Sequence, residues 1–250
     1  MNWLQKCFGK KEAPRQDFGI TGYLMKKTTA LEKLPEVSPG YQHYAMFNAG
    51  GVEVEVGEFL YAFVKMIKPK RILETGTHLG VSSLYMAQAL KENGAGHLVT
   101  LEIFDENIQK SKRLWREAGV AEQVTVLKAR SLEYTEKETL DMLFLDSEPD
   151  IRFDELVRFY DKVRPEGFIF VHDLHPHLGR SGPFLHEMPY WPYGDFREKF
   201  GDRILDYSLQ TFSFRTPRGF TLFQKTGPEF GHYVYLQEAR RAQDKGSLNS

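Results

Sequence analysis

The sequence between residues 54 and 173 alternates short apolar runs with longer segments whose apolar residues repeat at helical spacing. This alternation constrains the fold more than any other feature, because strands joined by helical crossovers form a parallel sheet with helices on both faces. The runs are continuously apolar, as strands buried on both faces require. They predict five strands, at residues 71–74, 97–102, 123–127, 141–146 and 168–173.

Glycine and proline mark the ends of the intervening helices. Pro69 ends a helix predicted over residues 54–67, and Gly119 ends a helix that Asp105 is expected to cap. Another helix is expected to end before Pro165-Glu166-Gly167, which precedes the fifth strand.

Two further strands follow the parallel set. Residues 209–215 and 220–225 flank Thr216-Pro217-Arg218-Gly219 and predict an antiparallel hairpin. The expected fold is therefore a doubly wound α/β sheet of seven mostly parallel strands within a domain at residues 53–226. Residues 1–52 are expected to form an irregular cap or an oligomerisation segment, and residues 227–250 a tail.

Composition excludes several classes of function. A formal net charge of −1 argues against a protein that coats nucleic acid. The sequence holds no run of the roughly 20 apolar residues that span a bilayer, so stable membrane insertion is not expected. Cys7 is the only cysteine, which rules out an internal disulfide or a thiolate metal cluster. A cytoplasmic location is the expectation.

A glycine loop, residues 74–80 (Glu-Thr-Gly-Thr-His-Leu-Gly), follows the first predicted strand. Gly76 allows a tight turn against a ligand, and Gly80 allows the next helix to start close to the sheet. Dinucleotide sites use G-x-G-x-x-G to hold a pyrophosphate, whereas this loop is G-x-x-x-G preceded by an acid. Glu74 would repel a pyrophosphate but suits the ammonium of a methionine moiety. The loop therefore favours S-adenosylmethionine (SAM) over NAD.

Polar residues also end three of the other predicted strands. Glu102 ends the second strand, where an acid can hold both hydroxyls of a ribose. Asp146 ends the fourth, and His172 and Asp173 end the fifth. The first strand should lie between the second and the fourth, with the fifth beside the fourth, so these residues meet at the ligand-binding edge. The alternative is that they only cap the helices that follow.

Residues 54–225 resemble the class I SAM-dependent methyltransferases, which have a Rossmann-like fold. Residues 71–80 are similar to their first motif, Glu102 matches their ribose-binding acid, and the closing hairpin resembles their last antiparallel strand. Residues 80–87 are most similar to small-molecule O-methyltransferases of the catechol type. The resemblance implies methylation of a small-molecule hydroxyl, with Glu74 and Gly76 near the methionine and Arg130 and Ser131 near the adenine. The expected cofactor-binding residues are Glu74, Gly76, Thr77, His78, Gly80, Ser82, Glu102, Arg130, Ser131 and Asp146.

The resemblance leaves the role of a metal open. Catechol-type enzymes hold a divalent metal with an aspartate after the fourth strand and an Asp-Asn pair after the fifth. Asp146 and Asp173 match the aspartates, but Leu174 replaces the asparagine. His172 or His175 could substitute, since imidazole suits transition metals. A metal could lower the pKa of the acceptor hydroxyl, or a base among Asp146, His172, Asp173 and His175 could take its proton.

Other interpretations remain at this stage. An NAD-linked oxidoreductase would use the same sheet, and a non-catalytic SAM-fold subunit would explain the leucine at position 174. Tyr190, Trp191 and Tyr193 could stack an acceptor or only pack against one another. Residues 1–50 could cover the active site or reach a second subunit of a homo-oligomer.

Overall fold

The structure is a computed structural model that describes residues 23–24, 32–33, 45–47, 51–174, 198–203, 208–214 and 218–226. His175, Tyr190, Trp191 and Tyr193 lie outside these residues, as do the expected tail at 227–250 and most of the expected N-terminal segment. The roles predicted for them therefore stay predictions.

A seven-stranded sheet forms the centre of the described chain. The strands are β1 Arg71–Thr75, β2 His97–Glu102, β3 Val124–Lys128, β4 Leu140–Leu145, β5 Val163–His172, β6 Leu209–Phe214 and β7 Phe220–Lys225. Their order in the sheet is β3-β2-β1-β4-β5-β7-β6, in which β1 to β5 are parallel and β7 is antiparallel to both of its neighbours. This confirms the predicted doubly wound sheet and its C-terminal hairpin.

Helices cover both faces of the sheet. Apolar side chains of α1, α2 and α3 join one core with Ile72, and those of α4 join a second core with Leu73. Adjacent residues of β1 thus point to opposite faces, and both are completely buried. None of the described helices has the length and apolarity to cross a membrane. The helices are α1 Val54–Ile67, α2 Val81–Asn93, α3 Asp105–Ala118 and α4 Arg152–Phe159.

Two local predictions are wrong. Strand β5 starts at Val163 rather than Phe168, because Val163 already pairs with Leu140 of β4. The pairing is then irregular until Phe168 pairs with Met142, and Glu166 lies within this irregular stretch with a φ of 65°. Tertiary pairing here overrides the turn chemistry of residues 165–167. Asp105 is the first residue of α3 rather than its cap, and its carboxylate pairs with Lys128 instead.

Candidate functional site

The glycine loop packs against the ends of neighbouring strands. Gly76 has a φ of 83°, and a Cβ there would lie 2.3 Å from the carbonyl oxygen of Asp146. Gly80 has a φ of 79°, and a Cβ there would lie 2.7 Å from Cβ of Ser111. Both positions therefore need glycine because of close packing within the chain, and the ligand contact predicted for Gly76 stays a prediction.

A small cleft, open to solvent, lies beside this loop. It is located at the carboxyl ends of β1 and β4, where a doubly wound sheet binds its ligands. Part of the wall comes from the segment before α1. The lining residues are Gly51, Val52, Gly76, Thr77, His78, Leu79, Val81, Ser82 and Asp146.

Glu74 lies behind the wall of the cleft and is completely buried. Ser82 Oγ donates a hydrogen bond to its Oε1 at 2.5 Å, and Ser83 Oγ donates to its Oε2. Burial raises the pKa of Glu74 to about 7, although the serine bonds oppose this. Direct contact between Glu74 and a cofactor ammonium stays a prediction, and of these three residues only Ser82 lines the cleft.

Glu102 is fixed at the end of β2 by main-chain donors. Its Oε1 accepts hydrogen bonds from the N–H groups of Ile103 and Phe104, at 2.7 and 2.9 Å. Its Oε2 accepts one from the N–H of His78 at 2.8 Å. The carboxylate thus links the second strand to the glycine loop, in the position predicted for a ribose-binding acid.

The loop after β3 lies next to Glu102, since the N–H of Ala129 donates to the Glu102 carbonyl oxygen at 3.0 Å. Ser131 is buried, whereas the side chain of Arg130 is 70% exposed. The structure therefore places both residues near the strand edge, and an adenine contact stays a prediction for each.

An ion cluster, defined here as Glu53, Asp146, Arg152, His172, Asp173 and Arg218, lies beneath the cleft. His172 is completely buried, with Nδ1 2.8 Å from Asp146 Oδ1 and Nε2 2.7 Å from Glu53 Oε2. Burial lowers the pKa of His172, but Asp173, Asp146 and Glu53 outweigh it and raise that pKa to about 10. The ring is therefore an imidazolium at neutral pH and donates from both nitrogens.

Two arginines flank Asp173 within this cluster. Arg218 makes a two-point contact, with Nε 2.7 Å from Oδ1 and Nη2 2.9 Å from Oδ2. Arg152 Nη1 lies 3.1 Å from Oδ2. Burial raises the pKa of Asp173, but His172, Arg218 and Arg152 outweigh it and hold that pKa well below its ordinary value.

Three members of the cluster were not predicted from the sequence. Glu53 immediately precedes α1, Arg152 begins α4, and Arg218 lies just before β7. Glu53 meets His172 across 119 residues of sequence, Arg218 meets Asp173 across 45, and Arg152 meets Asp173 across 21. No local motif marks such residues, because only the fold brings the charges together. Asp146, His172 and Asp173 do meet, as predicted.

The cluster does not fit a divalent metal. One donor atom each of Asp146, His172 and Asp173 lies within 4.8 Å of the others, a spacing that could suit an ion. However, Arg152 already pairs with both aspartates, and Arg218 pairs with Asp173. Both nitrogens of His172 bond to carboxylates. Leu174, at the place of the expected asparagine, is buried and offers no ligand atom.

Comparison with known families agrees with this architecture. Residues 73–174 match the family model described as a methyltransferase domain. This part of the chain is therefore similar to a methyltransferase domain. A candidate O-methyltransferase of Mycobacterium avium (strain 104) is 32% identical over 128 residues, which are 50% of this chain and 57% of that protein. A candidate O-methyltransferase of Mycobacterium sp. (strain JLS) is 30% identical over the same shares. The chain thus spans little more than half the length of these relatives.

Solved structures share the fold of the methyltransferase domain. The O-methyltransferase TomG of Streptomyces achromogenes, solved with SAM, has a TM-score of 0.55 and 24% identity, covering 71% of this chain and 82% of that one. An O-methyltransferase of Bacillus cereus, solved with S-adenosylhomocysteine (SAH), has a TM-score of 0.58 and 18% identity, covering 72% and 84%. The predicted class I methyltransferase fold is confirmed.

Proposed function

We propose that this chain is a SAM-dependent O-methyltransferase that acts on a hydroxyl of a small molecule. The observation that carries the proposal is the cleft at the ends of β1 and β4, which brings the glycine loop and Asp146 together within a methyltransferase domain. The names of the relatives and the SAM and SAH bound to solved structures of the same fold support it.

The cofactor would lie along the glycine loop, between Ser82 and the carboxylate of Glu102. When bound, SAM supplies a methyl group that its sulfonium already activates. The protein then has to hold the acceptor in line with that methyl group and keep both fixed. Such positioning can contribute about 7–11 kcal/mol of barrier reduction. Gly76 suits this role, since its close packing against the main chain of Asp146 fixes the loop at the cleft.

Asp146 is the group proposed to receive the acceptor proton. Its Oδ1 takes the hydrogen bonds from His172 Nδ1 and Arg152 Nη2. Its Oδ2 has no hydrogen-bond partner among the described residues, and the side chain lines the cleft. This oxygen can bind the acceptor hydroxyl and take its proton as the bond from the acceptor oxygen to the methyl carbon forms. The methyl–sulfur bond would break at the same time, with SAH as the leaving group. Such proton transfer is worth about 10²–10⁴ in rate. His172, Arg152 and Asp173 would act as positioning residues.

Transfer of a radiolabelled methyl group from SAM to a panel of small hydroxyl compounds tests the proposal. With an acceptor in hand, we expect Asp146→Asn to lower kcat at least about 100-fold while SAH affinity changes little. Glu148→Gln, an equivalent loss of charge at an exposed neighbour, is the matched control and should keep full activity. Tight SAH binding without transfer to any acceptor would favour a non-catalytic SAM-binding subunit.

The proposal also covers the oligomeric state of the protein and its location in the cell. A homo-oligomer and a cytoplasmic location are both proposed on the sequence features given above, with residues 1–52 either covering the active site or reaching a second subunit. Sedimentation of the full chain tests the first of them.

A further inference from the structure

The ion cluster lies at the place where catechol-type enzymes are expected to hold a metal. Both aspartates of that pattern are present, but each already has a guanidinium partner. Arg218 contacts Asp173 through Nε and Nη2. Arg152 bridges the two aspartates, with Nη1 3.1 Å from Asp173 Oδ2 and Nη2 3.3 Å from Asp146 Oδ1. The two aspartates therefore share fixed positive charge supplied by the chain itself.

Main-chain carbonyl groups hold both guanidinium groups in place. Arg152 Nη1 donates to the carbonyl oxygen of His172 at 2.6 Å, and its Nη2 donates to that of Ser147. Arg218 Nη1 donates to the carbonyl oxygen of Gly51. These bonds use donors that the aspartates leave free, so neither side chain can swing away without losing several hydrogen bonds.

Displacing an arginine from this site would be costly. Both arginine side chains are at most 10% exposed, and a guanidinium stays protonated at any physiological pH. A metal ion bound to Asp173 would either lie against these cations or leave one of them buried without its partner. The two buried arginines thus disfavour the binding of a metal cation next to Asp173.

We infer that Arg152, which bridges Asp146 and Asp173, and Arg218, which pairs with Asp173, take the place of a divalent metal, so that the chain binds no such metal there. One consequence rests on the proposed function: Arg152 holds Asp146 in position for the reaction, and methyl transfer needs no added metal ion.

Equilibrium dialysis of the full chain against Mn²⁺ or Zn²⁺, with elemental analysis of the protein, tests the inference without cofactor or acceptor. We expect less than about one tenth of an equivalent of either metal in the wild-type chain. About one equivalent that is lost in Asp173→Asn or Asp146→Asn, with each variant shown to be folded by circular dichroism, would overturn the inference. Metal retained in both variants would lie elsewhere and agree with it.

A measurement on the wild-type chain covers the case in which the variants do not fold. Mn²⁺ bound within the cluster would broaden the ring-proton resonances of His172 beyond detection, whereas the inference predicts that they stay sharp. If an acceptor is found, EDTA should leave the rate of methyl transfer unchanged. Because metal content is measured independently of activity, failure of this inference is distinguishable from failure of the proposed function.

Discussion

Glu53 Oε2 and His172 Nε2 lie 2.7 Å apart, and both side chains are completely buried. The contact joins the end of β5 to the residue before α1. Burial raises the pKa of Glu53, but His172 and Arg218 outweigh it and lower that pKa below its ordinary value. Since Gly51 and Val52 line the cleft, this pair fixes one wall of the cleft to the sheet.

Replacing Glu53 with glutamine should destabilise the domain strongly, because it leaves the buried imidazolium without one of its charged partners. Removal of one partner of a buried ion pair costs about 3–5 kcal/mol. The free energy of unfolding, measured in urea, checks the prediction. Glu106→Gln, which breaks an exposed pair with Lys110, is the control and should change stability little. Equal effects of the two substitutions would contradict the importance of the buried pair.

The stability of the domain should depend on the protonation of Glu74. Its pKa is about 7 in the folded state against an ordinary value of 4.5, so the folded state binds the proton more tightly than the unfolded state does. Stability from this group is therefore complete below pH 4.5 and is lost as pH rises to about 7, by up to about 3 kcal/mol. Urea unfolding between pH 5 and 8 should show this slope in the wild type. The slope should be smaller in Glu74→Gln, and identical slopes would refute the prediction.

Gly76→Ala should cost both stability and cofactor affinity. The added Cβ would meet the main chain of Asp146, which cannot move aside as a side-chain end could. Gly94→Ala is a matched control, because Gly94 also has a positive φ but a Cβ there would meet no atom within 4 Å. Both substitutions place an alanine in a left-handed backbone conformation, which lowers the free energy of unfolding at either position. Gly76→Ala should lower it by about 1–3 kcal/mol more. Thermal unfolding compares them, and equal losses would contradict the close packing.

Ser82 and Ser83 should differ in their effect on the cofactor. Both hydroxyls bond to Glu74, but Ser82 lines the cleft and Ser83 is completely buried. Ser82→Ala should weaken SAH binding about tenfold, as the loss of one hydrogen bond to a charged group would. Ser83→Ala should mainly lower the unfolding temperature. If Ser83→Ala weakens SAH binding as much, Glu74 acts through both serines and the distinction fails.

The sequence predicted the sheet well because its signals are local. Continuous apolar runs mark strands buried on both faces, and the acid that ends β2 and the loop that follows β1 come to one edge whenever those strands are neighbours. The ion cluster could not be predicted in the same way. Arg152 and Arg218 have the appearance of ordinary surface arginines in the sequence, and their pairing with Asp173 depends on how α4 and the final hairpin pack. Strand β5 was placed too late for the same reason, since its first pairs depend on β4.

The measurement that tests the central claim most directly is calorimetric titration of the purified chain with SAH, with NAD as the comparison ligand. We predict binding of SAH in the micromolar range or tighter, and none of NAD, because the glycine loop lacks the pyrophosphate-binding pattern. Binding of NAD alone would favour an oxidoreductase and contradict the proposed function. Binding of neither ligand would leave the methyltransferase fold in place but contradict the claim that this chain uses SAM.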